Sequence, residues 1–183
     1  MILVRHADSE WNLHYGRTRI DPGIADPPLT AAGRAQALRL AGALAAEGVA
    51  RLISSPYRRA LETATIIART LDLAIKVEPL VRERCAFSCD VGTPPSLLRG
   101  DWPKVDFAHL EEQWWGVAEE SVASIEARCA AFYAKTADLP DRAQIAVITH
   151  WGFIRALTGH ELSNARFVRL PVAEPAPTVH PMP

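Results

Sequence analysis

At 183 residues, 49% hydrophobic and with a net charge of −1, the chain has the size of one domain. It carries enough apolar material to bury roughly 70% of its unfolded surface. That balance excludes bulk attraction to nucleic acid or anionic lipid, and no apolar run reaches the ~20 residues of a membrane-spanning helix, so neither is expected as a partner. Three cysteines, Cys85, Cys89 and Cys129, are too few and too odd in number for a disulfide framework and fit a reducing, cytoplasmic setting. Cys85-x-x-x-Cys89 has no second pair at zinc-ligand spacing, so it reads as two ordinary thiols.

Met1–Val4 is an unbroken apolar run and predicts a short strand buried on both faces, ending at Arg5-His6. A strand starting at residue 1 leaves no room for a signal peptide. Residues 13–29 are polar and turn-rich, with Pro22, Gly23, Pro27 and Pro28, and predict loop. Thr30 is the expected N-cap of a helix to about Glu47, with Leu38, Ala41, Leu44 and Ala45 as its apolar stripe and Gly48 as its stop. Arg51–Ser54 is the next strand, and Ser55-Pro56 predicts a helix start, N-cap then proline. That helix should run to about Leu71 with Leu61, Thr65 and Ala68 on one face, before a strand at Ala74–Val77. Residues 84–118 break the rhythm with Gly92, Pro94-Pro95, Gly100 and Pro103 and read as an insertion of loops and short helices. Within it Trp102, Phe107, Trp114 and Trp115 read as a small core, in preference to a wall recognising an aromatic substrate. A helix over Glu119–Thr136 places Val122, Ile125, Cys129 and Phe132 on one face. Gln144–Thr149 is the clearest buried strand, Gly152–Leu157 opens a helix, and Arg166–Leu170 suits an edge strand. The last thirteen residues hold five prolines and predict an extended tail.

Strands alternating with helices predict an α/β fold: one three-layer domain over 1–170, with a mostly parallel central sheet and helices on both faces. The 84–118 insertion would sit over the active-site end, and 171–183 would form the tail. Such sheets bind ligands at the carboxyl ends of their strands. The loops after residues 4, 54 and 149 should meet there, each bringing a basic or histidine residue.

Those loops carry recognisable motifs. Arg5-His6-Ala7-x-Ser9-Glu10-Trp11-Asn12 resembles the opening Arg-His-Gly-x-Thr-x-x-Asn of the histidine phosphatase superfamily, the phosphoglycerate-mutase-like proteins. Ser55-Pro-Tyr-Arg-Arg59-Ala60-x-x-Thr63 is similar to the family's Ser-x-x-x-Arg-Ala-x-x-Thr, Thr149-His150-Trp-Gly152-x-x-Arg155 to its Ser-His-Gly-Gly-x-x-Arg, and Leu80-Val-Arg-Glu83 to its Leu-Arg-Glu. Asp26-Pro-Pro-Leu-Thr30-x-x-Gly33-x-x-Gln36-Ala37 resembles its helix entry. The resemblance covers roughly residues 1–160.

It implies a phosphatase acting on a small phosphorylated molecule through a phosphohistidine on His6, with Glu83 as proton donor and no metal or other cofactor. Phosphate is expected on Arg5, Arg59 and a protonated His150, with Ser9, Asn12 and Trp151 as further contacts and Arg17 a weaker candidate. Arginine forks suit a phosphomonoester because they stay charged and bind its oxygens bidentately. Neighbouring arginines should keep His6 deprotonated and nucleophilic. His14, His109 and His160 read as surface or structural. Two positions depart from the pattern. Ala7 stands for the usual glycine, which predicts φ < 0 there, and Trp151 replaces a small residue.

Three other readings compete. One is a mutase of the same fold, although this chain is short for one. Another is a non-catalytic module binding a phospholigand or protein, with the insertion as its interface. The third is a metallohydrolase built on His6-x-Asp8 with His14 or His150, which the arginine-rich loops disfavour. A homodimer stays open.

Overall fold

The computed structural model describes residues 1–170; the predicted tail over 171–183 lies outside the described residues. Five strands form one sheet: β1 (Ile2–Arg5), β2 (Arg51–Ser54), β3 (Ile75–Val77), β4 (Ile145–Thr149) and β5 (Phe167–Arg169), in the order β3-β2-β4-β1-β5. The first four run parallel, and β5 pairs antiparallel with β1 as the edge. The sequence reading of a mostly parallel sheet with an edge strand within Arg166–Leu170 holds, and the structure adds that this edge is antiparallel.

Alternate residues of these strands feed two cores. Leu3, Ile53 and Val147 pack with Phe132 of α5 (Val122–Thr136) and Phe153 of α6 (Trp151–Thr158). Ile2, Val4, Leu52 and Ile148 pack on the other face with Leu40 and Leu44 of α2 (Ala31–Ala46) and Ile67 of α3 (Arg58–Leu71). Coverage on both faces is why these strands read as continuous apolar runs.

The structure corrects four expectations. Residues 10–18, of which 13–18 are expected as loop, form helix α1 (Glu10–Thr18). Its propensities are poor, but Ser9 and Asn12 cap it reciprocally and Trp11 buries against the fold. In α2, Leu38 (60% exposed) and Ala45 face outward; Gly33, Ala37, Leu40, Ala41 and Leu44 form the buried stripe. Helix α3 starts at Arg58, after Tyr57, not at Pro56, and its first N–H is met by the Asp26 carboxylate at 2.8 Å. Strand β1 spans Ile2–Arg5, one residue later than expected. The 84–118 segment is loop with two short helical pieces, Ser88–Asp90 and α4 (Pro95–Asp101). Trp102, Phe107 and Trp114 bury there beside Tyr57 and Leu61, with Trp115 packed against them, so the core reading of that aromatic group stands.

Candidate active site

Register alone brings the two histidines together. Arg5 is paired with Thr149 across the parallel β1–β4 ladder, so the next residue of each strand, His6 and His150, leaves the sheet on adjacent strands. Their ring centroids stand 5.1 Å apart. Ser55, just past β2 on the other side of β4, completes the row, its Oγ 2.8 Å from His150 Nε2.

Much of the motif set serves to hold the first loop in place. The Ala7 N–H donates to Thr63 Oγ1 at 3.1 Å, the Asp8 N–H to Gln36 Oε1 at 3.0 Å, and the Thr30 N–H to the Asp8 carbonyl at 2.9 Å. Gly33 lets α2 come close, since a β-carbon there would collide with the Asp8 carbonyl. Ala7 does not belong to the positive-φ residues, as expected, and is fully buried.

His6 is 3% exposed, and its Nδ1 lies 2.7 Å from the Ala7 carbonyl. A carbonyl only accepts, so Nδ1 carries the proton and Nε2 the lone pair. Burial first, then Arg59 and Arg5, holds this imidazole well below its usual pKa.

Arg5, His6, Asn12, Arg59, Glu83 and Trp151 line one cavity of about 590 Å³. Ser9 lines it too, but its hydroxyl is committed to capping α1 through Asn12. The Asn12 Oδ1 accepts from Ser9 and from Asn164, and its amide nitrogen has no partner among the described residues. Arg5 donates to the Leu162 carbonyl at 2.7 Å, and its Nε is buried without a partner. Arg59, 3% exposed, stacks 4.4 Å over Tyr57 and donates to the Cys89 carbonyl at 2.6 Å and to Asp90 Oδ1 at 3.0 Å. Arg58 turns away to Glu62 and Asp101, which agrees with the choice of Arg59 over its neighbour.

Glu83 Oε1 accepts from the Arg84 N–H and the Gly152 N–H, both at 2.9 Å. Gly152 permits this: a β-carbon there would stand 2.5 Å from that oxygen. Burial, with help from Asp90 and against Arg59, raises the Glu83 carboxyl to about 7. Arg128 holds the short helical turn Pro79–Val81 that leads to it, donating to the Leu80 and Arg82 carbonyls while paired with Glu120 at 2.6 Å.

Not every sequence candidate reaches the cavity. His150 is 0% exposed and lies behind His6, edge-on to Tyr57 at 5.2 Å, and is not a lining residue. Burial, Arg59 and His6 hold its imidazole well below the usual pKa, which runs against the expectation of a protonated His150, and its Nδ1 is buried and unpartnered. Arg17 is exposed and absent from the lining, while Arg19, two residues on, takes a left-handed conformation and lines it. His14 and His160 are exposed, and His109 Nε2 sits 3.1 Å from the Val77 carbonyl. Sequence reasoning missed Asp90, Asn164 and the aromatic group Trp11, Tyr15 and Phe87, all of which line the cavity. Among the described residues no group of three His, Cys, Asp or Glu side chains gathers as a metal site, no helix is long and apolar enough to cross a membrane, and all three cysteines are free thiols.

A 30% identical relative, phosphoglycerate mutase-like protein 4 of Arabidopsis thaliana, aligns over 92% of this chain and 73% of its own. Glucosyl-3-phosphoglycerate phosphatase of Mycobacterium tuberculosis is 27% identical over 94% of this chain and 77% of its own. A probable phosphoglycerate mutase of Proteus mirabilis is 38% identical, but over 44% of this chain and only 36% of its own length, so the match to such relatives spans little more than a third of them. The solved structure of the mycobacterial glucosyl-3-phosphoglycerate phosphatase with VO3 superposes with a TM-score of 0.63 at 23% identity, covering 91% of this chain and 88% of that one. The family model of the histidine phosphatase superfamily (branch 1) matches residues 1–178, and the chain belongs to that superfamily.

Proposed function

We propose that this protein hydrolyses a small phosphomonoester without a metal, through a phosphohistidine on His6. One observation carries the reading: the Nδ1–H of His6 is committed to the Ala7 carbonyl, so the ring's lone pair sits on Nε2 in a cavity shared with two arginines and a carboxyl raised to about 7. Arg5, Arg59 and the Asn12 amide would hold the phosphoryl oxygens, and the unpartnered Arg5 Nε is a donor left for them. His6 Nε2 attacks phosphorus in line; the bond to the alcohol oxygen breaks and Glu83 delivers its proton to that oxygen. Water then attacks the phosphohistidine, Glu83 takes a proton from it, the P–N bond breaks and inorganic phosphate leaves. The phosphatase-named relatives support hydrolysis as the outcome.

The experiment is a phosphoester panel assayed with and without chelator, followed by quenching and acid-labile phosphate trapping. Turnover insensitive to chelator and label lost in His6→Ala are expected. Equal, slow phosphate release from wild type and His6→Ala would instead favour a binding module. The mutase-named relatives favour a second reading, phosphoryl transfer to an acceptor alcohol. Partition of the labelled enzyme between water and alcohol separates the two.

A further inference from the structure

We propose that the outer half of the cavity is an aryl subsite, so that the substrate is a phosphomonoester whose alcohol carries a planar aromatic ring. The inference rests on the phosphomonoester reading above and names the other end of the same molecule.

Helix α1 supplies the argument. Its cavity-lining residues are Trp11, Asn12, Tyr15 and Gly16, followed by Arg19 just past its end, which is the i, i+4, i+8 spacing of one helix face. The helix begins at Ser9–Asn12, beside the phosphate-binding side chains. At 1.5 Å per residue, Tyr15 lies about 6 Å and Arg19 about 12 Å further along its axis than Trp11. The stripe therefore leads outward from the phosphoryl position, past where a leaving alcohol would extend. A cavity of about 590 Å³ belongs with pockets that hold whole small molecules and is far larger than a phosphoryl group needs.

The wall is aromatic and already fixed. Trp11 and Tyr15 stack at 4.4 Å, and Phe87 from the insertion tilts against both at 5.1 and 5.3 Å. Phe87 remains 42% exposed, an uncovered apolar ring at the mouth of a polar site. Asp21 locks the arrangement: its carboxylate accepts from Trp11 Nε1 at 3.0 Å, from the Ser88 N–H at 2.8 Å and from the Ser88 hydroxyl. Trp151, whose ring has the Arg155 guanidinium at 5.0 Å, adds a further lining surface from α6. Aromatic rings bind such walls edge-on or offset, at little entropic expense when the wall is preformed.

Gly16 is the independent observation. A glycine in a helix interior disfavours the helix, yet a β-carbon at this position would meet nothing within 4 Å. No protein neighbour requires the glycine. It leaves the floor of the aromatic wall open, as a flat ligand lying against the helix backbone would need.

The test compares ligands whose leaving groups are equally poor, so that alcohol acidity does not intrude: benzyl phosphate against ethyl phosphate for turnover, and benzylphosphonate against ethylphosphonate for binding by calorimetry. Wild type should favour the benzyl member by roughly tenfold or more in both kcat/KM and Kd. Phe87→Ala and Gly16→Leu should each bring that ratio towards one. Gly16→Leu should also melt no lower than wild type, which excludes unfolding as the cause. A benzyl-to-ethyl ratio near one in wild type, or a ratio that neither variant moves, overturns the subsite. If no phosphoester turns over but benzylphosphonate still binds selectively and the variants abolish the selectivity, the subsite stands and the hydrolase reading falls. If both esters turn over without preference, the hydrolase reading stands and the subsite falls.

Discussion

The inner end of the cavity hangs on strand ends, while its outer wall hangs on a nine-residue helix and an irregular insertion. At the inner end, His6, His150 and Ser55 follow three neighbouring parallel strands whose register fixes them to within a ring's width. At the outer end, Trp11, Tyr15 and Phe87 are held by a reciprocal cap, a stack and one bridging carboxylate. The sheet is buried on both faces, so the inner groups share the stability of the whole core. The outer groups depend on local contacts that can vary without unfolding the domain. On the proposed reading, chemistry belongs with the first arrangement and substrate choice with the second.

The strongest way to break that division is at His6. His6→Ala should lower turnover by at least about 10⁴-fold and leave benzylphosphonate selectivity in place, read by rapid quench and calorimetry. Activity surviving in the variant would place the chemistry elsewhere.

Glu83→Gln comes next, with an expected loss of about 10²–10³-fold in steady-state turnover. The wild-type rate should fall as pH rises through about 7, because the acid form of Glu83 is needed and its carboxyl is raised to about 7. The acidic limb, set by His6, should lie below the ordinary imidazole range because burial and the two arginines depress that group. Glu83→Gln should remove the upper limb. The same shift has a stability consequence. A carboxyl raised on folding binds more protons folded than unfolded, so its contribution falls as pH climbs from its ordinary 4.5 to about 7. At pH 8 the glutamine variant should therefore be the more stable protein, by on the order of 2–3 kcal/mol, in chemical denaturation.

The contrast between the two ends also explains what could be read in advance. Buried parallel strands are written as apolar runs, and Met1–Val4, Arg51–Ser54 and Gln144–Thr149 were legible for that reason. Arg5, His6, Arg59 and Glu83 became candidates through the resemblance of the segments around them to the family's motifs. Helix α1 was not legible, because Glu10–Thr18 contains His14, Gly16 and Thr18, has no continuous stripe, and closes its cap with Asn12 where Glu or Gln would announce it. The tryptophan-dense group at Trp102, Phe107, Trp114 and Trp115 reads as a small core and is one, whereas the cavity takes Trp11, Tyr15 and Phe87; Phe87 lies more than 70 residues from the other two, and only the tertiary fold unites them. His150 is buried behind His6, and that burial, with the lowering of its imidazole pKa it brings, depends on Tyr57 and the register of β4, which no motif encodes.

Asp90 joins the two ends and so sharpens the comparison. Its Oδ1 receives Arg59 in a pair that is 3% and 1% exposed, while its Oδ2 accepts the Ala86 and Phe87 N–H groups at 3.0 and 3.1 Å. An asparagine can accept on only one side, so Asp90→Asn should lose about 1–3 kcal/mol of stability. It should also move the upper pH limb downward, since Asp90 is a principal charge raising Glu83, and reduce benzylphosphonate selectivity by loosening Phe87. An unchanged pH profile would detach Asp90 from the chemistry.

The smallest effect makes the cleanest discrimination, because one substitution type should change sign between the regions. Gly16→Ala should raise stability by roughly 0.5–1 kcal/mol, as alanine favours a helix interior and its methyl meets no neighbour within 4 Å; for a chain of this size that is a rise of about 1–4 °C in Tm. Gly33→Ala should go the other way by about 1–3 kcal/mol or more, since its methyl would strike the Asp8 backbone, which cannot yield without moving the loop that carries His6. Melting curves of the two variants, taken side by side, read both signs at once. If Gly16→Ala proves destabilising, then packing requires that glycine, and the open floor beneath the aromatic wall can no longer be read as space kept for a ligand.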